Sequence, residues 1–138
     1  MQIKIEREPI ACPRPKVSKW GAYYPKRYMD WKKATTKDLQ HLEPASILVL
    51  LFVIKRPKAL KKGNRVLHTK KPDLDNMVKA VCDALPYDDS NIHTIFAQKV
   101  YACSGEEPHI VLLQGAGYMH NIVHFFQLVL IHLKRCLL

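Results

Sequence analysis

This chain lacks the cysteine patterns of disulfide-rich secreted proteins and of zinc ribbons, and it has no apolar N-terminal segment like that of a signal peptide. Four cysteines, Cys12, Cys82, Cys103 and Cys136, are spread over 138 residues without a Cys-x-x-Cys pair, which argues against a disulfide framework and against a zinc ribbon. The N-terminus, MQIKIEREPI, alternates apolar and polar residues and contains no uninterrupted apolar segment, so we expect no signal peptide. These absences favour a cytoplasmic protein in a reducing environment.

Acidic residues are also few. Twelve Asp and Glu oppose 22 Lys and Arg, which gives a formal net charge of +10. Such an excess attracts polyanions by releasing their counterions, so nucleic acid is the first class of partner to consider and an anionic membrane the second. The alternative is a basic surface that is merely solvated. The length and an apolar content of 48% predict one compact domain.

Hydrophobic periodicity predicts the order of the main elements. Ile3 and Ile5 alternate with charged residues as in a half-buried strand. The proline-rich segment 9–25 is predicted to be an extended basic loop, in which Trp20 and the Tyr23–Tyr24 pair either pack or stack on exposed bases. Further elements are a helix over 26–42, a central strand buried on both faces over 45–54, and a strand over 92–101. The residues that recur at helical spacing in the first of these are Tyr28, Trp31, Thr35, Leu39 and Leu42.

A second concentration of charge lies at residues 55–71, which hold many Lys and Arg and no acid. Such runs are most often solvated loops. This one directly precedes an acidic cluster, which favours a phosphate-contacting surface.

Five of the seven aspartates fall between residues 73 and 89. Asp73 and Asp75 are two residues apart, so in extended chain both carboxylates face the same way. A helix is predicted to begin at Asp75 or Asn76. Its apolar stripe is formed by Met77, Ala80, Val81 and Ala84, and its opposite face by Asp75, Lys79 and Asp83.

A further acidic pair, Asp88–Asp89, immediately precedes the predicted strand 92–101. Clustered carboxylates are hard oxygen ligands that select Mg²⁺, with Mn²⁺ as an alternative. Each piece also has a structural explanation, as a helix cap, an i,i+4 ion pair or a turn former. The combination of Asp-x-Asp, a lysine four residues on and a second acidic pair favours the metal site.

The run KPDLDNMVKAVCDAL, followed by YDDSNI, resembles the signature of the RusA family of Holliday junction resolvases. These are small metal-dependent endodeoxyribonucleases of DNA recombination and repair, often encoded by phages and prophages. MQIKIEREPIACPRPKV is similar to the first strand and proline-rich loop of that family, YYPKRYMDWKK to its first helix and EEPHIVLL to its last strand. The resemblance covers roughly residues 1–113.

The resemblance implies an α+β fold, a single domain with a mixed β-sheet flanked by helices, and a homodimer acting on four-way junctions and other branched DNA. It places catalytic roles on Asp73, Asp75, Asp89 and Lys79 and metal ligation on Asp73, Asp75 and the Asp88–Asp89 pair, with Asp89 favoured within the pair. Cleavage would leave 5′-phosphate and 3′-hydroxyl ends. The expected DNA-binding residues are Arg14, Lys16, Lys58, Lys61, Lys62, Arg65, Lys70 and Lys71.

Two segments depart from the family pattern. The connection between Leu85 and Asp88 is shorter than usual. Residues 115–138, which follow a nuclease domain predicted over 1–114, form a C-terminal extension predicted to be an amphipathic helix packed on the domain or on a dimer partner. Two alternatives therefore stay open beside the nuclease: a basic protein that binds branched DNA without cutting it, and a module bound to a membrane or partner through the extension.

Overall fold

The apolar run ILVLLFVI forms the central strand of a five-stranded sheet. This strand, β4 (Ile47–Ile54), is rich in branched side chains, and all of its residues except Ile54 are buried, as the sequence predicts. Strands on both sides of β4 satisfy its backbone hydrogen bonds. The computed structural model describes residues 2–115, so the predicted C-terminal helix lies outside the described residues.

The four other strands of the sheet are β1 (Gln2–Ile5), β5 (Val66–Leu67), β6 (Thr94–Tyr101) and β7 (His109–Gly115). The sheet is mixed, with strand order β1–β7–β4–β6–β5. Strand β4 is parallel to β6 and antiparallel to β7, while β1 pairs with β7 and β5 with β6, both antiparallel. The predicted α+β class, a single domain with a mixed sheet, is confirmed.

Within this domain the residues group into two compact units. The sheet unit comprises the described parts of Met1–Pro9, Ala45–Thr69 and Asn91–Leu138. Alternate residues of β4, β6 and β7, continued by Ala102 just after β6, form a buried cluster on one of its faces: Val49, Leu51, Val53, Val100, Ala102, Val111 and Leu113. This is the period-two pattern of side chains in strands.

The helical unit comprises Ile10–Pro44 and Lys70–Ser90. It contains a hairpin of β2 (Lys16–Ser18) and β3 (Gly21–Tyr23), followed by helices α1 (Lys26–Leu39) and α2 (Leu74–Cys82). Both helices bury the stripes predicted from their spacing: Tyr28, Trp31, Thr35 and Leu39 in α1, and Met77, Ala80 and Val81 in α2. Within residues 2–115, no helix has the length and apolarity needed to cross a bilayer.

Three local expectations need correction. Segment 9–25 is not all extended loop, because Gly21 adopts a φ of +112° and allows the tight turn of a hairpin. Helix α1 ends at Leu39, three residues before the predicted end. Helix α2 begins at Leu74, before the predicted Asp75 or Asn76, since Asp73 takes the N-cap position with extended φ and ψ.

An ion pair of the sheet unit yields a prediction for acid stability. The side chains of Arg65 and Glu106 form a salt bridge in which both are largely buried. Burial by itself would raise the pKa of Glu106, but hydrogen bonds from Arg65 and from the Cys103 amide outweigh it and lower the pKa to about 2. A depressed carboxyl pKa stabilises the fold above the ordinary value near 4.5, and this stabilisation is lost as the pH falls towards 2.

We therefore expect Glu106→Gln to flatten the dependence of the free energy of unfolding on pH between about 4.5 and 2. Urea unfolding across this pH range measures the effect. The matched control is Glu107→Gln, which removes the adjacent exposed carboxylate. Equal slopes for Glu106→Gln and the native chain would contradict the prediction.

Candidate active site

Asp73 and Asp75 lie on either side of the start of α2. Asp73 is the N-cap residue, and its Oδ2 accepts a hydrogen bond of 2.7 Å from Lys71 Nζ. The Lys71–Pro72 peptide bond that precedes it is cis. Asp75 belongs to the first helical turn and is exposed. The condition under which both carboxylates face the same way, an extended chain over both residues, is therefore not met, because the extended geometry ends at Asp73.

Asp83 lies at the other end of α2 and gathers three polar side chains. The Lys79 ammonium lies 3.2 Å from both of its carboxylate oxygens. The Tyr28 hydroxyl, from α1, donates a hydrogen bond of 3.1 Å to Asp83 Oδ2, and the Cys12 thiol lies 3.7 Å from the same oxygen. The Cys12 amide donates to the Asn76 carbonyl at 2.8 Å, which attaches this segment to α2. Asp83 thus connects three segments of the helical unit.

These contacts set the protonation of the cluster. The hydrogen bond and the charge of Asp83 raise the pKa of Lys79, so its ammonium stays protonated at neutral pH. Burial, followed by the contacts with Cys12 and Asp83, raises the pKa of Tyr28 and keeps its phenol neutral. Lys79 is thereby a fixed positive charge at a partly exposed position of α2.

Tyr28 and Cys12 are the residues of this cluster that the sequence reasoning missed. Tyr28 fits the stripe of α1, which predicts a core residue, while Cys12 carries no motif. They lie 55 and 71 residues before Asp83 in the chain, so no local pattern reports their contacts with it. One available signal was the phenolic hydroxyl, since a buried tyrosine usually has a hydrogen-bond partner.

The cluster predicts a measurable contribution to stability. Tyr28→Phe removes one hydrogen bond to a charged carboxylate, a class that contributes about 1.5 to 3 kcal/mol. Asp83 is partly exposed and regains some hydration, so we expect the free energy of unfolding to fall by about 1 to 2 kcal/mol. Urea unfolding tests this, with Tyr23→Phe at an exposed position as control. A loss no larger than that of the control would contradict it.

The Asp88–Asp89 pair follows α2 within the same unit. Asp88 Oδ1 accepts a hydrogen bond of 2.8 Å from the Ser90 amide, and this bond lowers the pKa of the Asp88 carboxyl. Such a bond is typical of an Asx turn. The Asp89 side chain is exposed. Burial, followed by the charge of Asp89, raises the pKa of the Cys82 thiol at the end of α2 to about 11.

The four predicted ligand carboxylates share the helical unit but do not form a ready-made cage. Among residues 2–115, no group of three or more His, Cys, Asp or Glu side chains is placed to hold a metal ion. The donor chemistry nevertheless fits a hard cation, since Asp73, Asp75, Asp88 and Asp89 offer only carboxylate oxygens. Magnesium also needs few protein ligands when substrate phosphates and water supply the remainder.

Seven of the eight expected DNA-binding residues are exposed: Arg14, Lys16, Lys58, Lys61, Lys62, Lys70 and Lys71. Arg65 is the exception, because its guanidinium pairs with Glu106 and its side chain is only 12% exposed. The basic loop of the sheet unit is shaped by Arg56, which donates hydrogen bonds to the carbonyls of Lys61, Asn64 and Ala102. Arg56 therefore organises the loop, whereas the neighbouring lysines present charge to solvent.

Comparison with known proteins identifies one family. The family model described as endodeoxyribonuclease RusA matches residues 6–112, which include both ends of α2, the Asp83 cluster and the Asp88–Asp89 pair. A search of curated proteins found no match.

Proposed function

Because this chain belongs to the RusA endodeoxyribonuclease family, a family of enzymes that hydrolyse DNA phosphodiester bonds, we propose that it is a metal-dependent, structure-selective resolvase of branched DNA. The family implies a nuclease that resolves Holliday junctions. The observation that carries the proposal is the family match across the whole helical unit, in which Asp73, Asp75, Lys79 and Asp89 all lie on or beside α2. The products are 5′-phosphate and 3′-hydroxyl ends, in DNA recombination and repair within the cytoplasm.

Divalent metal ions are generally required by nucleases of this family. The residues proposed to hold Mg²⁺, or Mn²⁺ in its place, are Asp73, Asp75 and Asp89, with Asp88 assigned mainly to its turn because it already accepts the Ser90 amide. When bound, such a cation supplies Lewis acidity and a water of lowered pKa. Asp73 would bring a carboxylate that already accepts a hydrogen bond from Lys71 through Oδ2.

Lys79 is proposed to neutralise charge that develops on the scissile phosphate. Its ammonium is protonated and lies on an exposed part of α2, both of which this role requires. Asp83 holds the ammonium in place through both carboxylate oxygens. Tyr28 and Cys12 in turn hold Asp83, so these three act as positioning residues for Lys79.

A homodimer suits the proposed reaction, because two equivalent sites related by a two-fold axis match the approximate two-fold symmetry of a four-way junction. Affinity for the DNA arms would come from contacts between exposed lysines and phosphates. The slope of log K against log salt is negative, and each lost phosphate contact lowers its magnitude by about 0.9. We expect the double variant Lys61→Gln/Lys62→Gln to lower that magnitude by about 1 to 2.

Arg65→Gln serves as the comparison for this salt dependence. Its guanidinium is occupied by Glu106, so we expect the slope to stay within about 0.3 of the native value once folded protein is confirmed by circular dichroism. Junction binding measured by fluorescence anisotropy between about 50 and 200 mM salt gives both slopes. If the double lysine variant keeps the native slope, Lys61 and Lys62 make no phosphate contacts and the loop is not part of the proposed DNA surface.

The proposal is tested by incubating a labelled four-way junction and a linear duplex of equal length with the native chain, in Mg²⁺ and in EDTA. We expect paired nicks in the junction only with Mg²⁺ and little cleavage of the duplex. Tight junction binding without cleavage in either Mg²⁺ or Mn²⁺ would favour the second candidate, a non-catalytic protein that binds branched DNA. The specific observation in favour of that candidate is that two of the predicted ligand carboxylates already accept hydrogen bonds within the protein, Asp73 from Lys71 and Asp88 from the Ser90 amide.

A further inference from the structure

The β2–β3 hairpin of the helical unit is an exposed ribbon with a stiffened tip. All its residues from 16 to 23 are exposed. At the turn, Ser18 Oγ donates to the Gly21 carbonyl at 3.2 Å and accepts from the Trp20 amide at 3.2 Å. The left-handed φ of Gly21 completes the turn. The tip is therefore ordered by its own hydrogen bonds.

Trp20 stands at this tip with 87% of its surface exposed, whereas the other tryptophan, Trp31, is 7% exposed and belongs to the core. A tryptophan exposed to this extent contributes little packing to the fold, and its ordered turn presents the indole to a binding partner. The Lys19 ammonium lies 4.9 Å from the centre of the Trp20 ring, which leaves the opposite face of the indole open.

The surrounding charge indicates what partner would cover that face. Residues 10–29 carry five Lys and Arg and no Asp or Glu. A second copy of this segment would bring the same five cations and no acid to the contact, so like charges would face each other there. The tip sequence Ser18-Lys19-Trp20-Gly21 has a single apolar side chain, too little apolar area for firm insertion into a membrane. An anionic partner with a flat apolar ring matches both features, and an unpaired nucleotide is such a partner.

The hairpin is also connected to the candidate catalytic lysine. Tyr24, directly after β3, packs its ring against that of Tyr28, with centroids 5.3 Å apart. Tyr28 donates to Asp83, which holds Lys79. All of these residues belong to the helical unit, so a nucleotide bound at the tip would be held by the same unit that carries Lys79.

We propose that Trp20 stacks on an unpaired base at the branch point of the DNA and so contributes to the preference for branched over linear substrates. The inference rests on the proposed function, because it takes branched DNA as the substrate. It assigns to this hairpin the recognition of unpaired bases, which duplex arms do not offer. Lys19 contributes charge beside the base, and phosphate contacts elsewhere supply affinity for the arms.

The test compares Trp20→Ala, Trp20→Phe and the control Val17→Ala, which removes an equally exposed apolar side chain (85%) from the same hairpin. Binding to a junction with unpaired bases at its centre and to a matched duplex is measured by anisotropy in EDTA. Stacking on one base corresponds to an affinity change of about 5- to 150-fold. We expect a loss in this range for Trp20→Ala on the junction, little loss on the duplex, recovery in Trp20→Phe and no loss in Val17→Ala.

Tryptophan fluorescence gives an independent readout. We expect an oligothymidylate to quench the emission of the native chain and of Val17→Ala, and to leave the emission of Trp20→Phe unchanged. The proposal is overturned if Trp20→Ala binds the junction as tightly as Val17→Ala, or if it loses affinity for duplex and junction equally. It is also overturned if the Trp20 emission is quenched by raising the protein concentration or by adding anionic vesicles, and not by adding DNA.

Both readouts are taken without metal, so they do not depend on cleavage. Specific quenching and selective junction binding in a chain that never cuts DNA would sustain this inference and contradict the nuclease. Metal-dependent junction cleavage together with unchanged binding by Trp20→Ala would contradict this inference and leave the nuclease in place.

Discussion

Asp75→Asn is expected to lower the rate of Mg²⁺-dependent junction cleavage by more than about 100-fold, since the loss of even an outer partner of a metal ligand costs about 10- to 100-fold. The substitution removes one charge from an exposed position in the first turn of α2 and is nearly isosteric. The free energy of unfolding should therefore change little. Single-turnover cleavage of a labelled junction at saturating protein measures the rate.

The control for Asp75→Asn is Asp30→Asn, which removes another exposed carboxylate, from α1 of the same unit, where it pairs with Lys26. We expect native cleavage from this variant. Junction binding in EDTA should not weaken in either variant, because neither loses a cation. If Asp75→Asn cleaves the junction at the native rate at every Mg²⁺ concentration, Asp75 is not a metal ligand.

Lys79→Ala is expected to slow the same single-turnover step by about 100- to 1,000-fold, the cost of removing one group that stabilises charge in a transition state. Junction affinity should change by less than about threefold, because one contact contributes little to a surface with many cations. The concentration of Mg²⁺ that gives half the maximal rate should stay near the native value, since Lys79 ligates no metal. Lys79→Arg, which keeps the charge but changes the geometry, should recover part of the rate.

The control for this prediction is Lys26→Ala, which breaks another i,i+4 pair between exposed side chains of the helical unit. Because the Asp83 contact raises the pKa of Lys79, the ammonium and its stabilising ion pair persist at all pH values below the ordinary lysine pKa of 10.5. The native rate should therefore show no loss assignable to Lys79 below about pH 10. If Lys79→Ala and Lys26→Ala cleave the junction at equal rates, Lys79 has no role in the cleavage step.

Much of the fold follows from short-range patterns. The sequence predicts the buried central strand and the stripes of α1 and α2, because each depends on the spacing of apolar residues over about ten positions. The acidic pair before β6 follows from the order of residues along the chain. The hairpin was missed because its signal is the backbone freedom of Gly21 between short, fully exposed strands, where no apolar alternation exists.

The sequence by itself determined which chemical groups this protein has: oxygen ligands and a lysine on one short stretch, and basic residues on either side of it. Only the tertiary structure decided which of these groups meet. Asp83 is joined by Cys12 and Tyr28, Arg65 is bound by Glu106, and Trp20 projects into solvent. The physical reason is that each outcome depends on whether segments far apart in the chain contact a given side chain or leave it exposed. Local periodicity contains no information about such contacts.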